Sequence, residues 1–234
     1  MHIHVPKPIH GWKQFFNEVF VIAIGIAIAL SGEELLTHLR DDHQADRSLE
    51  AIEAELSSNL GQVKARLATA DCVDRRLGEI AHYIEKPTTP RPSWVGRPQL
   101  WIMRTSAVAA ARSYGSLTAM PSETQTAIAQ TYASLEGFGD YEKDEQWAWA
   151  ELRAITEDRD LSDSDRASLR GAIQRARLAA WAIRINGLQA IDEAKAIDVV
   201  PDNVSKGSQS VCIPMNTPFA EAARLSGGGY GEPR

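Results

Sequence analysis

Residues 19–32 read VFVIAIGIAIALSG, and the chain then runs without a proline through 33–86, EELLTHLRDDHQADRSLEAIEAELSSNLGQVKARLATADCVDRRLGEIAHYIEK. The first segment carries no charge. The second is charged, with apolar residues at Leu49, Ile52, Leu56, Leu60, Val63 and Leu67, then at Val73, Leu77, Ile80 and Ile84. Steps of three and four place those residues on one face of an amphipathic helix. The two segments together predict an apolar helix running directly into a long bundle helix, with a possible break near Thr69–Cys72.

The fourteen uncharged residues rise about 21 Å as a helix, short of a hydrocarbon core of ~30 Å. The flanks lengthen the stretch. Phe15 and Phe16 precede it, Leu35 and Leu36 follow it, and Trp12 with Lys13 supplies an interfacial aromatic and a snorkelling cation. Three readings are open: an uncleaved anchor, a cleaved signal peptide ending near Ala27–Ser31, and a buried helix of a soluble protein. The anchor is the reading adopted. Glu18 at its start needs the head-group boundary or another subunit beside it. Gly25, Ala29 and Gly32 form a small-residue face on which a second membrane helix can pack.

The pattern Trp12, Phe16, Glu18, Val21, Gly25, Ile26, Ala27, Ala29, Leu30, running into a charged helix, resembles a broad group of bacterial single-pass membrane proteins. The stretch Cys72-Val73-Asp74-Arg75-Arg76-Leu77 and the Trp147-Ala148-Trp149 region are similar to alphaproteobacterial members. The resemblance is strongest over residues 12–80. It implies an inner-membrane anchor with a helical domain outside the cytoplasm, and it implies no activity.

The expected organisation is a basic cytoplasmic head at 1–14, a transmembrane helix at 15–36, a helical bundle at 37–198 and an irregular tail at 199–234. Pro87, Pro90, Pro92 and Pro98 make 87–98 a loop, with Trp94 plugging the bundle surface. A second helical stretch is expected over 99–119. A third opens at Ser122 with Gln125 as its capping box and kinks at Gly137 and Gly139. A fourth follows the weaker cap Ser162/Asp165, with the register Leu169, Ile173, Ala176, Ala180, Ile183, Gly187, Ala190, Ala194, Ile197. Thr217-Pro218 starts a short helix near 218–225. The fold class is therefore all-α: an N-terminal transmembrane helix continuing into an elongated antiparallel helical bundle.

Charge sharpens the division. The chain totals −6, while residues 1–32 hold Lys7, Lys13 and Glu18 for a net of +1, leaving −7 on the remainder. With 44% hydrophobic and 24% charged residues, disordered and collagen-like classes are excluded, and no nucleic-acid partner is expected. Outside the cytoplasm, Cys72 and Cys212 can form a disulfide pinning the tail to the first bundle helix; the alternative is two unpaired thiols.

Other constellations fail on context. His2, His4 and His10 lack acidic or cysteine companions, and His38, His43 and His82 lack H-E-x-x-H spacing. A calcium loop begun at Asp158 would need Gly and Glu where Asp163 and Leu169 stand. Gly227, Gly228, Gly229 and Gly231 have no strand–helix context for phosphate, and Asp140–Glu145 reads as a solvated face. No catalytic, metal or cofactor-binding residue is assigned.

The expected function is a periplasmic scaffold or accessory subunit held in the bilayer, acting on another membrane protein or on itself. The alternative is a bundle sensing a small molecule through Trp101, Tyr132, Trp147 and Trp181, whose ordinary role would be core packing.

Overall fold

The computed structural model describes residues 11–88, 90–157, 159–203 and 210–226. Among them there is no strand. Helix α1 spans Trp12–Leu67 and α2 spans Ala70–Glu85. The interval between them is local chemistry: the Thr69 hydroxyl and amide both donate to Arg66 O, at 2.8 and 3.1 Å, diverting the backbone from the helical ladder. The whole face from Ile52 to Val63 and from Val73 to Ile84 is buried, as its register requires.

The fourth periodic stretch becomes α6, Asp163–Glu193, opened by a full capping box. Ser162 Oγ accepts from Asp165 N at 3.2 Å while Asp165 Oδ2 accepts from Ser162 N at 2.8 Å. Helix α5, Ser122–Leu152, departs from expectation twice. Pro121, not Ser122, is its N-cap, and Gln125 Nε2 donates to Met120 O at 2.8 Å, so no capping box forms. The helix also runs unbroken through Gly137 and Gly139. A Cβ on Gly137 would lie 2.5 Å from Asn186 Oδ1, so this glycine admits the partner helix instead of bending its own.

The largest departure lies in 99–119. Residues 99–105 are not helical; α3 occupies Ser106–Ser113 and α4 Ser116–Ala119. The cause is long-range. Asn59 donates to Arg104 O at 2.8 Å and accepts from Arg104 N at 2.9 Å, occupying the groups a helix would need. Glu55 Oε2 then accepts from Ser106 Oγ at 2.6 Å and Ala107 N at 3.0 Å, capping α3 from outside its own sequence.

The result is three long rods. α1 and α2 follow one another along α6, antiparallel to it, as the Val63–Gly187 and Glu85–Arg170 contacts require. α5 and α6 form an antiparallel hairpin. α1 and α5 run parallel, with Glu55 on Tyr132 and Arg66 on Glu145, because residues 86–121 return the chain to the starting end. One core cluster surrounds Ile52–Val63 and a second surrounds Val73–Ile84. Trp94 is buried, not a surface plug: it packs with Ile213, Ala222 and Phe219 in a third cluster beneath α7, Phe219–Leu225.

Candidate functional site

Among the described residues one helix, near the N-terminus, is long and apolar enough to cross a membrane, and none of its apolar window is buried within the chain. Phe15 to Leu35 are exposed, which removes the buried-helix reading; among the described side chains of α1 the first in the core is Ala45. Trp12 is exposed and stacks on Phe16 at 5.4 Å between ring centres. The Lys13 side chain lies outside the described residues. Glu18, Gly25, Ala29 and Gly32 are all exposed, and the helical step brings them onto one stripe about 60° wide. Nothing lies within 4 Å of a Cβ built on Gly25 or Gly32.

At the far end of the bundle Cys72 and Cys212 are joined by a disulfide, with Cα atoms 4.9 Å apart. A second tie lies one turn further along α2. Arg76, fully buried, donates to Val95 O and Ile213 O and pairs through Nε with Glu79 Oε2 at 2.8 Å. Burial lowers the pKa of this guanidinium, opposed by Glu79. Trp94 Nε1 donates to Ser210 O at 3.0 Å, and Gly96, at φ 69°, permits the approach of Ser210, whose carbonyl a Cβ would strike. Sequence reading singled out the cysteines and missed Arg76, whose only local signal is its place four residues after Cys72.

Between α1 and α5 lies a buried polar set. Arg66 Nη2 donates to both Glu145 oxygens at 2.7 Å, the two side chains 3% and 0% exposed. Glu142 Oε2 accepts from Trp101 N at 3.1 Å. Burial pushes the Glu142 carboxyl up to about 8, with Trp101 N and Arg66 opposing and Glu145 adding to the rise. Burial also raises Glu145, against its pairing with Arg66. Nearer the exposed apolar end of α1, burial pushes Glu55 upward but the hydrogen bonds from Ser106, Tyr132 and Ala107 outweigh it, holding the carboxyl low. Of Asp140–Glu145, then, Glu142 and Glu145 are buried; only the rest form a solvated face.

The four aromatics of the ligand alternative separate. Trp101 and Tyr132 line a half-open cavity of about 580 Å³ between α5 and residues 100–112. Trp147 and Trp181 are 74% and 61% exposed elsewhere, so neither packs in the core. Trp181 belongs instead to an exposed apolar stripe of α6, with Leu178, Ile185 and Leu188, diametrically opposite the core register. Its 3-4-3 spacing is legible in the sequence beside the stronger stripe. Arg177 and Arg184 flank it.

Among the described residues, no group of His, Cys, Asp and Glu is arranged to hold a metal. No family model, curated protein or solved structure matches this chain.

Proposed function

We propose that the protein is a single-pass inner-membrane protein that holds a helical bundle in the periplasm and acts through protein contacts. The observation that carries this is the continuity of α1: an exposed apolar helix from Phe15 to Leu35 passes without interruption into the first helix of a packed core. The compartment is supported by the Cys72–Cys212 disulfide, a bond of oxidising environments. Lys7, Lys13 and the α-amino group before the span, against Arg40 and Arg47 after it, bias the N-terminus only slightly toward the cytoplasm, and that bias counts together with the disulfide.

Two faces support contact. Glu18, Gly25, Ala29 and Gly32 present a close-packing stripe within the bilayer. On α6, Leu178, Trp181, Ile185 and Leu188 match a partner helix whose apolar seam has acidic flanks, facing Arg177 and Arg184. A second copy of the same face is the poorer match, since an antiparallel pair would set Arg184 against Arg184.

The test is extraction of the full chain from membranes into lipid nanodiscs, followed by native mass measurement and N-terminal sequencing. Membrane retention, an intact N-terminus and a mass above one chain are expected. A soluble product starting near Leu30 overturns the anchor, and a strictly monomeric species with no companion overturns the contact role. The cavity beside Trp101 and Tyr132 favours a second reading, a bundle that senses a small molecule.

A further inference from the structure

We infer that the cavity between α5 and residues 100–112 takes a single-chain amphiphile, its alkyl chain along α5 and its anionic head group on Arg112. This names a ligand class and rests on the second reading above; it does not depend on the protein partner.

The shape comes first. The α5 floor is made of Ala129, Ala133 and Gly139, whose small side chains leave the space open. Met103 Cγ is 4.0 Å from a Cβ built on Gly139, which fixes the width at that end. From Ala129 to Lys143 the floor runs about 21 Å at ~1.5 Å per residue. A peptide lying in the groove would need hydrogen-bonding partners for its amides along an apolar wall of Trp101, Met103 and Val108. An alkyl chain needs none.

The ends decide the polarity. Toward one end Lys143 is neutralised by Asp140 at 2.7 Å, and Glu136, midway along the floor, adds negative charge, so this half of the groove offers an anionic head no unpaired cation. At the other, Arg112 lines the mouth on the last turn of α3 and forms no ion pair among the described residues. A guanidinium fork matches a carboxylate or phosphate head. This mouth is also the end nearer the anchor: the Ser116 hydroxyl, just past α3, donates to Ser48 Oγ at 2.7 Å. Ser48 lies about 20 Å along α1 from Leu35.

The walls are held before any ligand arrives. Asn59 clamps Arg104 through both backbone groups, Glu142 holds Trp101 N, and the Tyr132 hydroxyl donates to Glu55 Oε1 at 2.6 Å. The cavity is a built groove, not a gap between loose elements.

The experiment uses the full chain in nanodiscs, free of detergent, with a diazirine-bearing hexadecanoate as photo-probe and peptide mapping of the adduct. Labelling is expected within 100–112 and 129–143, and competition by hexadecanoate and by hexadecyl phosphate but not by hexadecanol. Which anion competes better distinguishes carboxylate from phosphate as the head group. Arg112→Gln should weaken competition by both anions about tenfold, while hexadecanol fails to compete in either protein. Ala133→Phe, an exposed substitution that fills the floor, should abolish groove labelling while leaving helicity unchanged. Labelling confined to 15–35, or undiminished in Ala133→Phe, overturns the proposal. Native mass measurement of the unloaded chain separates the two levels of failure. A copurifying small molecule that is not an anionic amphiphile defeats the ligand class alone; absence of both adduct and label defeats small-molecule sensing as well.

Discussion

Glu142 and Arg66 set the strongest residue-scale consequences. Glu142 has its carboxyl raised from 4.5 to about 8 by burial, while an unfolded chain releases that proton near the ordinary value. Between those two pH values the unfolded state therefore binds fewer protons than the folded one, and stability falls as pH rises. It is flat below the window and flat again above it. At 1.36 kcal/mol per unit the loss is a few kcal/mol. Glu142→Gln should raise the unfolding midpoint markedly at pH 9 and little at pH 4.5, which thermal melts of the full chain across that range will read. Arg66 behaves differently. Removing it alone, as Arg66→Ala, leaves Glu145 buried without its partner and should cost about 3–5 kcal/mol. Arg66→Met with Glu145→Leu should recover most of that loss in a double-mutant cycle, because the pair's desolvation nearly offsets its attraction.

At the scale of elements, α5 against α6 is the tightest joint. A Cβ on Gly187 would sit 2.9 Å from Val63 Cγ1 and 3.3 Å from Phe138 Cδ2, inside the meeting point of α1, α5 and α6. Gly187→Val should destabilise by about 1–3 kcal/mol through overpacking, measured by chemical denaturation. The helices themselves were largely readable from periodicity: the apolar faces of α1, α2 and α6 lie where steps of three and four put them. Three things were not readable, and each has a physical reason. Residues 99–105 are kept out of a helix by Asn59, forty-five positions away, which no local window contains. Gly137 looked like a kink because a glycine's cost to its own helix is visible in sequence and the neighbour it admits is not. Trp181 looked like core because size suggests burial, although its angular position on α6 already set it opposite the core register. The groove was half visible, through Trp101 and Tyr132; its cationic mouth at Arg112 depends on α3 turning back toward Ser48.

For the molecule as a whole, Leu39 to Gln44 of α1 are all exposed before the core begins at Ala45, so the backbone there opens at less cost than in the buried bundle helices. Trypsin acting on nanodisc-held protein should cut first at Arg40, both its helical neighbours being exposed, and release a bundle with unchanged near-ultraviolet dichroism. Degradation of the bundle at the same rate would show that the rods are not independently packed. The opposite end behaves in the contrary way. Reduction of Cys72–Cys212 removes a closure across 140 residues, worth roughly 4–5 kcal/mol in the loop-entropy picture, and should loosen residues 210–226 first in hydrogen exchange. That bond also makes most of the bundle a covalent ring. A protease nick at any one peptide bond between Cys72 and Cys212, such as beside exposed Arg159, opens the ring without dividing the chain. Such nicked protein would keep its full mass on a non-reducing gel and stay moored to the bilayer, then split in two once reductant is added. With the disulfide intact, a single cut anywhere in that ring leaves the bundle one covalent piece.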